Sequence, residues 1–275
     1  MTVIAYQDKK LEFGERTLIM GILNVTPDSF SDGGNYIQLD QAVLRAKQMV
    51  EEGADIIDIG GESTRPDSKE VSLEEELRRI IPVIERLSKE VSVPLSVDTY
   101  KAEVARQCLE AGAHLINDVW GARKEPEMAE VAARYGCPIV LMHNRTEIDY
   151  TDFVHDVLSD LKETVRLAKQ AGVKDEQIIL DPGIGFAKTR EHNLQLMNYL
   201  TEIRQLGYPV LLGTSRKSMI WKTLDLAPTD VVEGTAATVT LGIYQGCEIM
   251  RVHDVKEMRR VADMTDAIVK HRNKK

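Results

Sequence analysis

The sequence predicts an α/β protein, a single-domain (β/α)8 TIM barrel over residues 1–275, with its active site at the carboxyl ends of the strands. Eight times a short apolar run ends in a polar residue, and a helix-like stretch follows. Short continuous apolar runs that alternate with amphipathic helices indicate parallel strands buried on both faces. The 275 residues are also close to the roughly 250 of one barrel, and no Pro-, Gly- or Ser-rich linker divides them.

The predicted elements follow one another in a regular order. Residues 1–17 are predicted to form an N-terminal hairpin that closes the barrel floor. The strands are predicted in the apolar runs at 18–23, 56–59, 94–97, 114–116, 139–142, 178–180, 210–212 and 248–250. Helices are predicted at about 38–52, 73–90, 100–111, 126–135, 152–171, 190–206, 217–224 with 229–245, and 254–270. A left-handed C-terminal cap is expected at Gly53, Gly112, Gly136, Gly172, Gly207 and Gly246.

Two of the loops that follow strands are long. The first runs from Val25 to about Tyr36, and the second runs from Gly60 to about Val71. Long loops on the catalytic face of a barrel commonly cover or complete its site. We therefore expect both of these loops to close over a bound substrate.

The composition excludes several classes of protein. The net charge of −9, from 44 acidic and 35 basic residues, argues against nucleic-acid binding. Three scattered cysteines without a CxxC pair suit a reducing compartment. The N-terminus does not resemble a signal peptide, and no apolar stretch approaches the roughly 18 to 20 residues that span a bilayer. We expect a cytoplasmic protein without a nucleic-acid or membrane partner.

Three polar residues, Asp98, Asn117 and Asp181, end neighbouring or near-neighbouring strands. The strand ends of a barrel converge on one mouth, so these side chains are expected to lie together. A carboxylate accepts two N–H bonds at once, and an asparagine both donates and accepts. The set suits a flat heterocycle that presents a carbonyl and an amidine edge, meaning two adjacent N–H donors. Taken singly, each residue could instead cap the following helix.

Cationic groups follow the last two strands. Lys217 opens a helix beside Ser218, and the backbone N–H groups of a helix start form a carboxylate site. Arg251 and His253 share one face of a strand because alternate side chains point the same way, and such a pair suits phosphate. A solvated lysine and a structural histidine are the competing interpretations.

Asn24 ends the first strand and offers a neutral oxygen of the kind that Mg2+ accepts together with substrate phosphates and waters. Nothing else in the sequence resembles a metal cage, so Mg2+ is expected to arrive with a phosphorylated substrate. Pro66, Met142 and Phe186 add flat or soft apolar surface near the same mouth and could sandwich an aromatic ring. Ordinary packing explains each of these three equally well.

Most of these residues lie in seven longer phrases. The phrases are Asn24–Gly34, Gly60–Pro66, Ser96–Thr99, Ile116–Val119, Asp181–Phe186, Ser215–Ser218 and Arg251–Asp254. In this order they resemble the signature phrases of the bacterial dihydropteroate synthase family, a group of pterin-binding barrels, over nearly the whole chain. The first, second and fifth phrases are the most specific. Asp67 and Ala187, beside the phrases, stand where that family is expected to have glycine.

The resemblance implies the condensation of 6-hydroxymethyl-7,8-dihydropterin diphosphate with p-aminobenzoate to give 7,8-dihydropteroate and pyrophosphate. It also implies three groups of binding residues. The pterin would be held by Asp98, Asn117, Met142, Asp181 and Lys217. The diphosphate would be held by Asn24, Arg251 and His253, with Mg2+ on Asn24. The p-aminobenzoate would be framed by Thr64, Arg65, Pro66, Phe186, Lys217 and Ser218.

The catalytic residues that the resemblance implies are Asp32, Asp98, Lys217, Arg251 and His253. No Ser/His/Asp or Cys/His set is apparent in the sequence, which argues against a covalent intermediate. The family is held to follow an SN1-like route in which diphosphate leaves before the amine attacks, with Asp32 closing over the cation. Asp32→Ala should then lower turnover far more than pterin affinity. Sulfonamides are the implied inhibitors, and a homodimer is expected.

Two other functions compete with this one. A methyltetrahydrofolate:corrinoid methyltransferase has a pterin-binding barrel with a similar Asp/Asn/Asp set but no diphosphate to hold, and the phrases at 215–218 and 251–253 argue against it. A non-catalytic barrel that only binds pterins would not release pyrophosphate. The presence of Asn24, Lys217 and Arg251 argues against that alternative.

Overall fold

The computed structural model describes residues 2–26, 35–62 and 70–272. A hairpin of β1 (Thr2–Tyr6) and β2 (Lys9–Phe13) precedes eight strands that alternate with helices. The eight strands are β3 (Leu18–Asn24), β4 (Ile56–Gly60), β5 (Leu95–Asp98), β6 (Leu115–Asp118), β7 (Ile139–Met142), β8 (Ile178–Asp181), β9 (Leu211–Leu212) and β10 (Ile249–Val252). The helices are α1 (Asn35–Glu51), α2 (Leu73–Glu90), α3 (Ala102–Glu110), α4 (Glu127–Tyr135), α5 (Phe153–Gln170), α6 (Arg190–Leu196), α7 (Leu200–Arg204), α8 (Ser218–Leu224), α9 (Val232–Tyr244) and α10 (Val255–Arg272).

The eight strands pair in parallel and form a closed barrel. Strands β3 to β8 pair consecutively, and β10 lies between β9 and β3. A parallel bridge between Leu180 and Val210 joins β8 to the residue before β9. The N–H of Leu180 also donates to the carbonyl of Pro209 at 2.9 Å. The predicted (β/α)8 barrel is therefore confirmed.

The inside of the barrel changes from apolar to polar along each strand, because every second strand residue points inward. The lower layer forms one buried cluster with the hairpin. Its members are Ile4, Leu11 and Phe13 of the hairpin with Leu18, Met20, Ile56, Leu115, Val140, Ile179, Leu211 and Ile249 of the strands. Two residues further along β4, β6, β8 and β10, the inward positions are Asp58, Asn117, Asp181 and Arg251. Inside the barrel, polar side chains therefore begin above this apolar layer, toward the carboxyl ends of the strands.

The helices cover the outside of the barrel. The other face of each strand, with Ile19, Ile57 and Val97 among its residues, belongs to the main apolar core between strands and helices. All six glycines that were expected to end helices have a positive φ, between 69° and 111°. None of the helices in the described ranges is long and apolar enough to cross a membrane.

The prediction of one continuous helix over 190–206 is wrong. The chain instead forms α6 and α7, with a break between them. The side chain of Gln245 accepts a hydrogen bond from the N–H of Leu200 at 3.2 Å and donates to the carbonyl of Met197 at 2.5 Å. A helix end leaves backbone groups without helical partners. A side chain distant in sequence supplies those partners here, which local periodicity does not reveal.

Candidate active site

The predicted strand-end residues form a row around the mouth of the barrel. In the strand register, Asn24 is paired with Gly60, Gly60 with Asp98, and Asp98 with Asn117. Further round, Met142 of β7 is paired with Asp181 of β8. Parallel pairing therefore brings together residues that are up to 157 positions apart in sequence (24 to 181). The expected convergence of Asn24, Asp98, Asn117 and Asp181 is observed.

Arg251 joins this row through two buried carboxylates. Its Nε lies 2.6 Å from Oδ2 of Asp58, and its Nη2 lies 2.6 Å from Oδ2 of Asp98. The amide of Asn117 also donates to Oδ2 of Asp58 at 3.0 Å. Burial acts to lower the pKa of Arg251, but the two carboxylates outweigh it and raise that pKa. Arg251 thus remains a cation, and together with Asp58 it fixes the side chains of Asp98 and Asn117.

Three polar atoms beside Arg251 are buried without a hydrogen-bond partner in the described structure. They are Oδ1 of Asp58, Oδ1 of Asp98 and Oγ of Ser96, which is paired in register with Asp58. Burial raises the pKa of Asp98, Arg251 opposes this increase, and Asp58 adds to it. A buried polar atom without a partner is costly. These atoms can therefore form hydrogen bonds with the polar groups of a ligand or with water.

Asp181 lies at the start of a tight loop that runs to Lys188, here called the β8 loop. The N–H of Gly183 donates to Oδ1 of Asp181 at 2.7 Å. Gly183 has a φ of +69°, and a Cβ at this position would overlap the carbonyl oxygen of His143, so only glycine fits. Burial raises the pKa of Asp181 to about 6, against the hydrogen bond from Gly183 and the charge of Lys217. The loop thus holds a carboxyl group whose ionisation is opposed by burial.

The β8 loop is fastened by the side chain of Lys188, which is 8% exposed. Its Nζ lies 2.9 Å from Nδ1 of His143 and 3.0 Å from the carbonyl oxygens of Gly183 and Phe186. Nε2 of His143 lies 3.0 Å from Asp160. Burial lowers the pKa of Lys188 to about 7 and the pKa of His143 to about 4.

An apolar cluster lines the mouth beside Asp181. Met142 is buried with Tyr100 and Val119, and Trp120 and Phe186 pack against them. Nζ of Lys217 lies 4.2 Å from the centre of the Phe186 ring, within the range of a cation–π contact. The predicted residues Met142, Phe186 and Lys217 are therefore brought to one side of the mouth, beside a carboxylate.

Two side chains orient His253 and Arg216 after the last strands. Oγ of Ser215 accepts the backbone N–H of His253 at 3.2 Å and lies 2.9 Å from Nδ1 of the same residue. The Ser215 hydroxyl can then donate a hydrogen bond to Nδ1, which places the ring proton of His253 on Nε2. Arg216 has a φ of +58° and makes two hydrogen bonds with Asp254, of 2.6 and 3.2 Å. Ser218, another predicted site residue, is the first residue of α8.

Several predicted positions lie outside the described residues: Asp32, Thr64, Arg65, Pro66 and Asp67. Ala187, the other departure from the family pattern, has a φ of +44°. This is the left-handed region, which favours glycine.

Sequence reasoning missed four residues of the site: Asp58, His143 as a loop anchor, Lys188 and Ser215. Asp58 gave a signal, because a lone carboxylate inside the apolar run Ile56–Ile59 has to find a buried partner. The other three depend on contacts between different loops and leave no local signal.

Residues 20–253 of the chain match the family described as pterin binding enzyme. The chain therefore belongs to the family of pterin-binding enzymes. Within this family it groups with the dihydropteroate synthases, which are transferases of folate biosynthesis, on the basis of the relatives that follow.

The dihydropteroate synthase of Bacillus subtilis (strain 168) is 60% identical over 267 residues, covering 97% of this chain and 94% of that protein. The enzyme of Clostridium beijerinckii is 57% identical, covering 95% and 98%. A crystal structure of the Clostridium difficile enzyme in the presence of pteroic acid has a TM-score of 0.92 at 52% identity, covering 94% and 98%. The Xanthomonas albilineans enzyme with 4-aminobenzoic acid has a TM-score of 0.89 at 43% identity, covering 92% and 93%.

Proposed function

We propose that the protein condenses 6-hydroxymethyl-7,8-dihydropterin diphosphate with p-aminobenzoate at the mouth of its barrel, forming 7,8-dihydropteroate and pyrophosphate. The observation that carries this proposal is the row of Asp98, Asn117 and Asp181 above an apolar barrel floor. A partnerless carboxylate oxygen in that row needs an N–H donor. The amidine edge of a pterin supplies such donors.

In the proposed pterin site, each side chain contacts a different edge or face of the pterin ring. Asp181 accepts the amidine N–H groups, and Asn117 and Asp98 serve the remaining ring edge. Met142 of the apolar cluster packs on the ring face. Lys217, over the ring of Phe186, reaches the pterin from the other side. The relative solved with pteroic acid supports a pterin site in this fold.

The p-aminobenzoate is proposed to lie beside Phe186, Lys217 and Ser218, with its carboxylate at the start of α8. Thr64, Arg65 and Pro66 would complete this subsite from the second long loop, outside the described residues. A relative solved with 4-aminobenzoic acid and the Yersinia pestis enzyme solved with a sulfonamide drug support binding of both compound classes. We propose that sulfonamides compete with p-aminobenzoate here.

The diphosphate is proposed to lie between Asn24, Arg251 and His253. Arg251 uses two donors on Asp58 and Asp98 and keeps its remaining N–H groups for an anion. Among the described residues no three His, Cys, Asp or Glu side chains are grouped as a metal cage. A single amide oxygen nevertheless fits Mg2+, which commonly takes few protein ligands beside substrate phosphates and waters. Asn24 would hold it, and it would offset the charge of the diphosphate.

The proposed reaction is a direct transfer in which diphosphate departs and the arylamine attacks the exocyclic carbon of the pterin. The three cysteines are buried, and burial raises the pKa of each thiol, so none of them is a nucleophile at neutral pH. Ser215 is also buried and is engaged with His253. Arg251, which lines the proposed diphosphate site with His253, stabilises the charge that develops on the departing group. Asp32, from the first long loop, is proposed to close over the pterin cation and exclude water.

We further propose that the protein acts as a cytoplasmic homodimer. The small residues of α9 permit close helix packing, either within the chain or between subunits, and α9 packs against α10 in the chain itself. Sedimentation equilibrium tests the dimer: a mass near 62 kDa, twice 30.9 kDa, is expected, and a mass of 30.9 kDa would contradict it.

The test of the proposed function is pyrophosphate release from the dihydropterin diphosphate in Mg2+, with and without p-aminobenzoate. Wild type should release pyrophosphate in a p-aminobenzoate-dependent manner. Asp181→Ala should lower kcat/KM about a hundredfold or more, because two hydrogen bonds to a charged group are lost. Asp230→Ala, at an exposed carboxylate, is the matched control and should be unchanged. Pterin binding by wild type without pyrophosphate release would instead favour the methyltransferase or the non-catalytic barrel.

A further inference from the structure

Lys188 is a buried amine, protonated below its pKa of about 7, that the proposed reaction does not use. It follows β8 by seven residues, at the end of the β8 loop. An ammonium group has three N–H donors and no acceptor. Lys188 has three acceptors within 3.0 Å: Nδ1 of His143 and the carbonyl oxygens of Gly183 and Phe186. Every donor of this buried cation is therefore used inside the protein.

The histidine in this set has one tautomer that satisfies all its neighbours. Because an ammonium only donates, Nδ1 of His143 has to accept, so the ring proton lies on Nε2. Nε2 then donates to Oδ2 of Asp160 at 3.0 Å, and Arg145 Nε holds the same carboxylate oxygen at 2.7 Å. Although burial acts to raise the pKa of Asp160, its hydrogen bonds with His143 and Arg145 lower it. His143 is thus a neutral bridge between the ammonium and an ionised carboxylate on α5.

The two carbonyls that Lys188 binds belong to residues whose positions matter at the mouth. The N–H of Gly183 holds Oδ1 of Asp181 at 2.7 Å, and the ring of Phe186 lies 4.2 Å below Nζ of Lys217. The rest of the β8 loop is held by Asn193, which accepts the N–H of Gly185, and by the hydroxyl of Tyr150, which donates to the carbonyl of Ala187.

We propose that Lys188, anchored by His143, is a positioning residue that holds the β8 loop in the shape that binds substrate. Its ammonium binds the carbonyls of Gly183 and Phe186 at the same time. It thereby fixes the position of the Asp181 carboxylate, held by Gly183, relative to the Phe186 ring, which contacts Lys217. This inference rests on the proposed function only in taking Asp181 as the pterin anchor.

The first test is Lys188→Met, which keeps most of the length of the side chain and removes the three donors. The dissociation constant of a pterin such as pteroic acid should rise at least tenfold in the folded variant. Lys162→Met, at an exposed lysine of α5, is the matched control and should bind like wild type. A folded Lys188→Met protein that binds within twofold of wild type would overturn the inference. Wild type that fails to bind the pterin would instead overturn the proposed function.

Two further measurements apply even where Lys188→Met does not fold. His143→Asn places an amide oxygen near the position of Nδ1 and should keep most of the pterin affinity. His143→Leu, whose side chain is isosteric with that of asparagine but has no acceptor, should weaken it at least tenfold. Equal effects of the two changes would contradict an anchoring role for Nδ1. In wild type at pH 6, nitrogen-15 shifts should show the proton of His143 on Nε2, and a proton on Nδ1 would contradict the arrangement.

Discussion

The affinity for pterin should depend on pH through the carboxyl group of Asp181. Burial raises the pKa of this group from 3.8 to about 6 in the ligand-free protein. The difference corresponds to about 3 kcal/mol that opposes ionisation of the carboxyl group in the empty site. A ligand that presents two N–H donors binds the ionised form, so binding should lower the pKa again and release a proton at acidic pH.

The magnitude follows from the titration of one group. With a pKa of about 6, about 90% of Asp181 is ionised at pH 7 and about 10% at pH 5. The apparent affinity should therefore fall about ninefold between these pH values as Asp181 takes up its proton. Asp98, whose pKa is also raised, faces the same ligand and can add to this dependence. The contribution of Asp181 is the part that disappears when Asp181 alone is replaced.

Isothermal titration calorimetry of wild type and Asp181→Asn measures this contribution directly. The ligand should be a pterin without a titrating group between pH 5 and 7, and buffers of different ionisation enthalpy give the protons released. The variant should bind about 10-fold or more weakly at pH 7, because a charged acceptor is lost. The two proteins should approach each other in affinity at pH 5. Parallel pH profiles and equal proton release would refute the reasoning.

Three substitutions test the packing around the site by urea unfolding. Gly183→Ala should lower the free energy of unfolding by about 2–5 kcal/mol, because alanine would adopt a left-handed φ and its Cβ would overlap the backbone. Its control is Gly207→Ala, at a positive φ with open space around it, which should cost only about 1–2 kcal/mol. Equal costs would contradict the overlap. Ala187→Gly should stabilise the protein by about 0.5–1 kcal/mol because it relieves a positive φ, and a loss of stability would show that this strain is absent. Asp58→Ala should cost about 3–5 kcal/mol by leaving the partly buried cation Arg251 with one carboxylate partner. Exposed Asp230→Ala is its control, and similar small effects of both would contradict the buried network.

The barrel and much of its mouth could be predicted from the sequence because both follow from local patterns. Parallel strands that are buried on both faces leave continuous apolar runs, and the residue after each run lies at the mouth. Asn24, Asp98, Asn117 and Asp181 were placed by that rule alone. The pattern of apolar runs does not predict which side chains pair across the barrel.

The contacts that hold the site could not be predicted because their partners are remote in sequence. Asp58 and Arg251 are 193 residues apart and meet only once the barrel closes. Lys188 and His143 lie 45 residues apart and meet through two adjacent loops. The break between α6 and α7 depends in the same way on Gln245, a residue that follows α9. A single sequence carries no periodic signal for any of these pairs.

The most direct test of the account is the stoichiometry of the reaction with both substrates and Mg2+ present. Mass spectrometry would measure dihydropteroate, and a coupled assay would measure pyrophosphate in the same samples. We expect one dihydropteroate for each pyrophosphate, and little pyrophosphate release when p-aminobenzoate is omitted. Pyrophosphate released without dihydropteroate, or at the same rate without p-aminobenzoate, would contradict the claim that this barrel joins the two substrates.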